Sequence, residues 1–166
     1  MKLTKNFTLH ELVKSNTALR LGINNTPTKE GVIKLRLLAA NLLQPIRERL
    51  SAPIRITSGY RSPELSAAIG SSENSQHCRY EAIDCQFVKR GKMDNLKIYQ
   101  ALIDLNIDYD QCILEFGGAT LDRDSECPDW IHISWKMSDN RRQTLVAYKD
   151  DHNKTRYRPL IKYKSL

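Results

Sequence analysis

The chain has 166 residues, of which 40% are hydrophobic and 27% charged, and its formal net charge at pH 7 is +7. This length fits one domain with one core, so we expect a single domain over residues 1–166. The chain has no apolar run of about 18 residues, which excludes a membrane-spanning helix. No apolar stretch follows the first lysines, so we expect no secretory signal.

The positive charge is concentrated at the C-terminal end. Residues 141–166 include eight basic and two acidic side chains, which gives this segment +6 of the net +7. A basic surface attracts polyanions, whether nucleic acid, anionic lipid or an anionic cell wall, although it is also compatible with a simply solvated face. Since no nucleic-acid-binding motif accompanies the charge, we expect no nucleic-acid partner.

The first part of the chain has helical patterns. Thr8 and Glu11 form a capping box at the start of a short helix. Apolar residues then recur at three- and four-residue steps from about residue 29 to residue 50, which predicts one buried helix face. Pro45 is expected to bend or divide this helix, because proline removes one backbone hydrogen bond.

Strand patterns dominate after Pro53. Alternation predicts a strand at 54–57, then a turn and one or two helical turns at 64–69. Further strands are predicted at 82–88, 111–115, 130–135 and 143–148, with a helix at 94–105 and an edge strand at 156–160. Helices first and strands afterwards indicate an α+β domain, with an antiparallel sheet and helices packed mainly on one side.

Two ionisable side chains interrupt apolar strands. Asp84 lies between Ile83 and Cys85, and His132 lies among apolar and aromatic residues in the strand predicted at 130–135. A buried carboxylate is costly unless it is paired or binds a metal. Together with His77, at the end of a polar loop, they form a candidate zinc site of three ligands. Spacing alone leaves open that these are ordinary core or surface residues.

Three motifs carry a family resemblance. They are Ser58-Gly59-Tyr60-Arg61-Ser62, Ser75-x-His77-x-x-x-x-Ala82-x-Asp84, and Asp129-Trp130-Ile131-His132. In this order they resemble the M15 zinc peptidases, which include D-alanyl-D-alanine carboxypeptidases and phage L-alanyl-D-glutamate endopeptidases. The resemblance extends through Trp135 and is weak over the basic tail.

The resemblance implies roles for individual residues. One zinc ion per chain is expected at the sheet, held by His77, Asp84 and His132, with Asp129 as the general base. Glu115 is the second candidate for a catalytic or supporting carboxylate, and it is equally well interpreted as a surface residue. Arg61 is expected to bind the substrate or stabilise the oxyanion, because a guanidinium is always charged and forks onto oxygens. Four residues are expected to line the substrate pocket: Ser58, Tyr60, Ser75 and Gln76.

The chain departs from the family pattern at Tyr80, where the family has glycine. If that glycine provides a positive φ, Tyr80 is strained. If it only provides space, Tyr80 reshapes the substrate groove. The metal ligands are unaffected in either case.

These features predict a monomeric zinc peptidase that cleaves stem or cross-link peptides of bacterial peptidoglycan. Its small size and expected lack of a leader resemble a phage lysis enzyme, made in the cytoplasm without a signal peptide and acting at the cell wall or in the periplasm. The alternative is a non-catalytic wall-binding or virion module that retains the fold. Tyr80 favours that alternative, and the intact Asp129-x-x-His132 motif opposes it. The motifs do not separate carboxypeptidase from endopeptidase activity.

Overall fold

A computed structural model describes residues 1–161 and shows helices packed on a single sheet. The helices are α1 (Leu9–Val13), α2 (Asn16–Leu21), α3 (Lys29–Leu38), α4 (Gln44–Leu50), α5 (Pro63–Ala68) and α6 (Leu96–Asp104). The strands are β1 (Ile54–Ser58), β2 (Ala82–Lys89), β3 (Lys92–Met93), β4 (Gln111–Glu115), β5 (Trp130–Ser134), β6 (Gln143–Lys149) and β7 (Thr155–Pro159). The last five residues, 162–166, which carry the end of the predicted basic tail, lie outside the described residues.

The strand order is β1-β2-β5-β4-β6-β7, with β3 paired to β2 beside this path. The expected α+β class is confirmed, and the sheet is antiparallel except where β4 and β6 run parallel. The parallel pair arises because β5 ends beside the start of β4, with Ser134 opposite Gln111. A short connection then passes that end of β4, so that β6 also starts opposite Gln111.

The long helical pattern is divided, as Pro45 predicts. After α3, residues Ala39–Leu43 form a π-helical turn, and α4 begins at Gln44 with Pro45 in its first turn. Since proline has no amide hydrogen, Pro45 cannot donate the hydrogen bond that would continue the α-helical pattern, and the π-helical turn lies where that pattern is interrupted. Helix α2 was not predicted from the sequence, because it has a Ser15 N-cap but only one buried residue and therefore no periodic apolar face.

The two faces of the sheet have different characters. Alternate strand residues face the helices and form a buried apolar core: Ile83, Cys85 and Phe87 on β2, Ile131 and Ile133 on β5, and Cys112 and Leu114 on β4. The residues between them project to the opposite, open face, because side chains alternate along a strand. Asp84 and His132 lie directly opposite each other there, and Glu115 ends β4 on the same face.

Within residues 1–161, we find no helix with both the length and the apolar character needed to cross a membrane.

Candidate metal centre and active site

His77, Asp84 and His132 converge on the open face of the sheet. Asp84 Oδ1 lies 3.3 Å from Nε2 of His77 and 2.9 Å from Nδ1 of His132. One ligand atom from each of the three residues lies within 4.8 Å of the other two. Two imidazoles and one carboxylate are a donor set that suits zinc, and three protein ligands leave a position open for catalysis. The group therefore has the composition and the spacing to hold one metal ion.

The register of β2 and β5 positions two members of this group. Asp84 and His132 are cross-strand partners although they are 48 residues apart in the sequence. His77 arrives from the polar loop before β2 and is 3% exposed. Its Nδ1 lies 2.7 Å from the carbonyl oxygen of Gly59. Because a carbonyl only accepts hydrogen bonds, Nδ1 carries the proton, and the lone pair on Nε2 is left for a metal.

Gly59 is required by close packing. A β-carbon at this position would collide with the backbone carbonyl of Leu12, at the end of α1. The same carbonyl accepts a 2.7 Å hydrogen bond from the Tyr60 amide. The glycine therefore lets the turn after β1 lie against α1 while its own carbonyl orients His77.

His77, Asp84 and His132 form the metal group, and the groups around Asp84 stabilise its negative charge. Burial alone raises the pKa of the Asp84 carboxyl, but the adjacent His77 and His132 outweigh it and hold that pKa well below its usual range. Burial lowers the pKa of His77, against the opposing effect of Asp84, which favours the neutral imidazole that binds metals. Arg61 donates from Nη2 to Asp84 at 2.9 Å and from Nε to the Ser58 hydroxyl at 3.0 Å.

The two candidate carboxylates differ in environment. Glu115 is 8% exposed, and burial raises its pKa to about 7, with His132 lowering it and Asp84 raising it further. Asp129 is exposed and lies immediately before β5. Its amide donates to the Glu115 carbonyl at 2.8 Å. Within residues 1–161, the Asp129 carboxylate has no hydrogen bond or ion pair, so its backbone is fixed and its side chain is free.

Tyr80 has φ +65°, in the left-handed region that favours glycine. Of the two alternatives, the structure therefore shows the one in which this position needs a positive φ and Tyr80 is strained. Such a conformation costs of order 1 kcal/mol. Contacts of the ring offset this strain. It stacks on Tyr60, with ring centroids 4.2 Å apart and an interplanar angle of 14°. It also lies against Gly31 of α3, where a β-carbon would collide with it.

The two pocket residues that precede His77 have contacts within the protein. The Ser75 hydroxyl accepts a 3.3 Å hydrogen bond from the His77 amide. The Gln76 side chain donates to Asp110 at 2.9 Å. In these positions both residues support the loop that carries His77, and their expected contact with substrate stays a prediction.

Asp110 is a supporting residue that the sequence analysis missed. It is 1% exposed and accepts hydrogen bonds from Arg141 and Gln76, with Lys136 at 3.0 Å. Burial raises its pKa, but these donors hold it well below the usual range. Asp110 thereby ties the His77 loop to the start of the basic tail. A carboxylate before a predicted strand gives no local signal of such contacts.

The family model described as Peptidase M15 matches residues 5–105, which is more than half of the chain. The chain belongs to the Peptidase M15 family. This membership implies a hydrolase of the metallopeptidase type. The matched range contains His77, Asp84 and Arg61 but ends before Glu115, Asp129 and His132. A comparison with curated proteins gives no match.

Proposed function

We propose that the protein is a zinc-dependent peptidase that cleaves stem or cross-link peptides of bacterial peptidoglycan. The observation that carries this proposal is the convergence of His77, Asp84 and His132 in a chain of a peptidase family. These residues would hold the zinc ion, and their donor set fits it. The ion supplies Lewis-acid polarisation of the scissile carbonyl and a water that loses its proton near neutral pH.

Arg61 is the proposed substrate-binding and oxyanion-stabilising residue. A guanidinium has five N–H donors, and within residues 1–161 the Arg61 side chain donates hydrogen bonds only to Ser58 and Asp84. The other donors are available to a substrate oxygen. Because Arg61 contacts a metal ligand directly, it would hold that oxygen beside the metal group.

The proposed general base is Asp129, with Glu115 as the second candidate. Asp129 occupies the position before His132 that the family motif assigns to the base, and its carboxylate is free to accept a proton. Glu115 lies on the open face, and its pKa of about 7 is well matched to proton transfer near neutral pH. Either carboxylate would take a proton from the attacking water and return it to the leaving amine.

The biological setting follows from the substrate. We propose that the protein acts at the bacterial cell wall, as a phage lysis enzyme does, and that it works as a monomer. One chain supplies all three metal-binding residues, which supports a site that needs no partner subunit.

The test uses purified protein with and without a chelator. Bound zinc per chain is measured together with the release of new amino groups from purified peptidoglycan. We expect one zinc ion per chain and a release that the chelator abolishes, and mass spectrometry of the fragments then identifies the cleaved bond. The same two measurements are made on His132→Ala, which removes a residue of the metal group. His152→Ala, which removes an exposed histidine outside that group, is the matched control.

Two other outcomes have definite meanings. Zinc binding without release, across walls of several cross-link types, would support the non-catalytic wall-binding or virion module. A chain that binds no zinc would overturn the proposal.

A further inference from the structure

A cavity of about 710 Å³ opens beside the metal centre, between β1 and the segment that joins α1 to α2. Its lining includes Ser58 and Arg61. Arg61 donates one hydrogen bond to the Ser58 hydroxyl and another to Asp84 of the metal group. Within residues 1–161, β1 is an edge strand that pairs only with β2. The volume is within the usual range for ligand sites, and an open strand edge can pair with an extended peptide.

The charges lining this cavity are mainly positive. The lining contains three basic residues, Lys14, Arg55 and Arg61, and one acidic residue, Glu11. The Glu11 carboxylate already accepts from the Thr8 amide at 2.8 Å and from the Thr8 hydroxyl at 2.6 Å. In the part of the chain that the structure describes, neither Lys14 nor Arg55 has a hydrogen bond or ion pair through its side chain. Two cations without a hydrogen bond or ion pair therefore line a cavity that also includes Arg61, and basic residues outnumber acidic ones in its lining.

We propose that this cavity binds free carboxylates of the substrate peptide at positions remote from the cleaved bond. Lys14 and Arg55 would be the carboxylate-binding residues, and Arg61 would connect this site to the metal centre. The inference rests on the proposed function and deepens it, because it selects peptides that retain their free carboxylates. Those whose carboxylates are amidated would lose this attraction.

The experiment compares two synthetic stem peptides that differ only in whether their side-chain carboxylates are free or amidated. The zinc-loaded protein is assayed as wild type and as the double variant Lys14→Gln/Arg55→Gln, in which two exposed side chains are changed. The control, Lys97→Gln/Arg90→Gln, removes the same number of exposed charges outside the cavity lining.

We expect KM for the free-carboxylate peptide to rise by about five- to tenfold in the cavity variant, with kcat unchanged. The amidated peptide should show the same KM with all three proteins. Because the contacts are exposed, added salt should reduce the wild-type preference. Equal KM values for the free-carboxylate peptide in wild type and cavity variant would overturn the proposal, as would an equal rise in the control.

Failure of the proposed function is separable from failure of this inference. If the wild type cleaves neither peptide, the proposed hydrolysis is wrong, and fluorescence anisotropy with labelled forms of the two peptides decides on the cavity. A preference for the free-carboxylate peptide that only the cavity variant loses would support the site. Equal binding of the two peptides would reject it.

Discussion

The two faces of β2 and β5 share one backbone and differ in what they do. On the helix side, Ile83, Cys85, Ile131 and Ile133 are fully buried among apolar residues. On the open side, Asp84 pairs with both His132 and His77. Because side chains alternate along a strand, residues that stabilise the fold lie on one face and the candidate metal-binding residues lie on the other. Substitutions at neighbouring positions should therefore change either stability or metal binding.

The largest expected effect is on metal binding. His132→Ala removes one of the three proposed ligands, so we expect zinc affinity to fall more than a hundredfold and hydrolysis to be abolished. Competition with a chromogenic chelator measures the affinity, and the helix-side neighbour Ile131→Val is the control. Tight zinc binding by the His132→Ala protein would mean that the metal lies elsewhere.

A second test compares the two carboxylates. Replacement of a general base costs about 10²–10⁴ in kcat, because the water keeps its proton. We expect Asp129→Asn to show this loss while zinc content stays at the wild-type level, and Glu115→Gln to show a smaller one. The measurement is steady-state hydrolysis beside metal analysis. Normal turnover by Asp129→Asn, together with a large loss in Glu115→Gln, would transfer the role to Glu115.

A third test concerns the helix side. Ile131 is fully buried, so Ile131→Ala should lower the free energy of unfolding by about 2–5 kcal/mol through lost burial and a cavity. Urea denaturation of the metal-free protein measures this. Leu145→Ala, on the open face and only partly buried, should cost less. Equal costs would contradict the assignment of stability to one face.

The smallest expected effect is a pH dependence from Glu115. Its pKa rises from 4.5 to about 7 on folding, so the native carboxyl holds its proton where the unfolded one has lost it. The associated stability is complete below about pH 4.5 and is lost as the pH rises through about 7, with a maximum change of about 3 kcal/mol. Glu115→Gln should remove this decline in the metal-free protein. Urea denaturation at pH 5 and pH 8 measures it, with exposed Glu126→Gln as the control. An unchanged pH profile would show that Glu115 is not buried as described.

Local patterns predicted most of the fold because they report local physics. The capping box of Thr8 and Glu11, the alternation in β2 and the interruption of the α-helix beside Pro45 each follow from neighbouring residues, and each is observed. The parallel pairing of β4 with β6 depends on the path of the chain past β4, which no local pattern encodes.

The candidate site shows the same division. Asp84 and His132 were recognisable as polar residues in apolar strands, but their separation depends on a register between distant strands. The sequence posed two alternatives for Tyr80, and the backbone angle distinguishes them. Contacts such as those of Asp110 join residues that lie 26 to 34 positions away, and therefore leave no local signal.

The pairing of Asp84 with His132 also implies that the sheet must fold before the metal group is complete. β5 lies between β2 and β4, so His132, the third proposed ligand, is in place only when the centre of the sheet has formed. A growing chain that has emerged only to residue 105 carries His77 and Asp84 but lacks their partner. A ligand that binds only the folded state adds about 2.7 kcal/mol to the free energy of unfolding when its concentration is a hundred times its Kd. Zinc binding would therefore stabilise the completed sheet. Hydrolytic activity would then begin only after folding is finished.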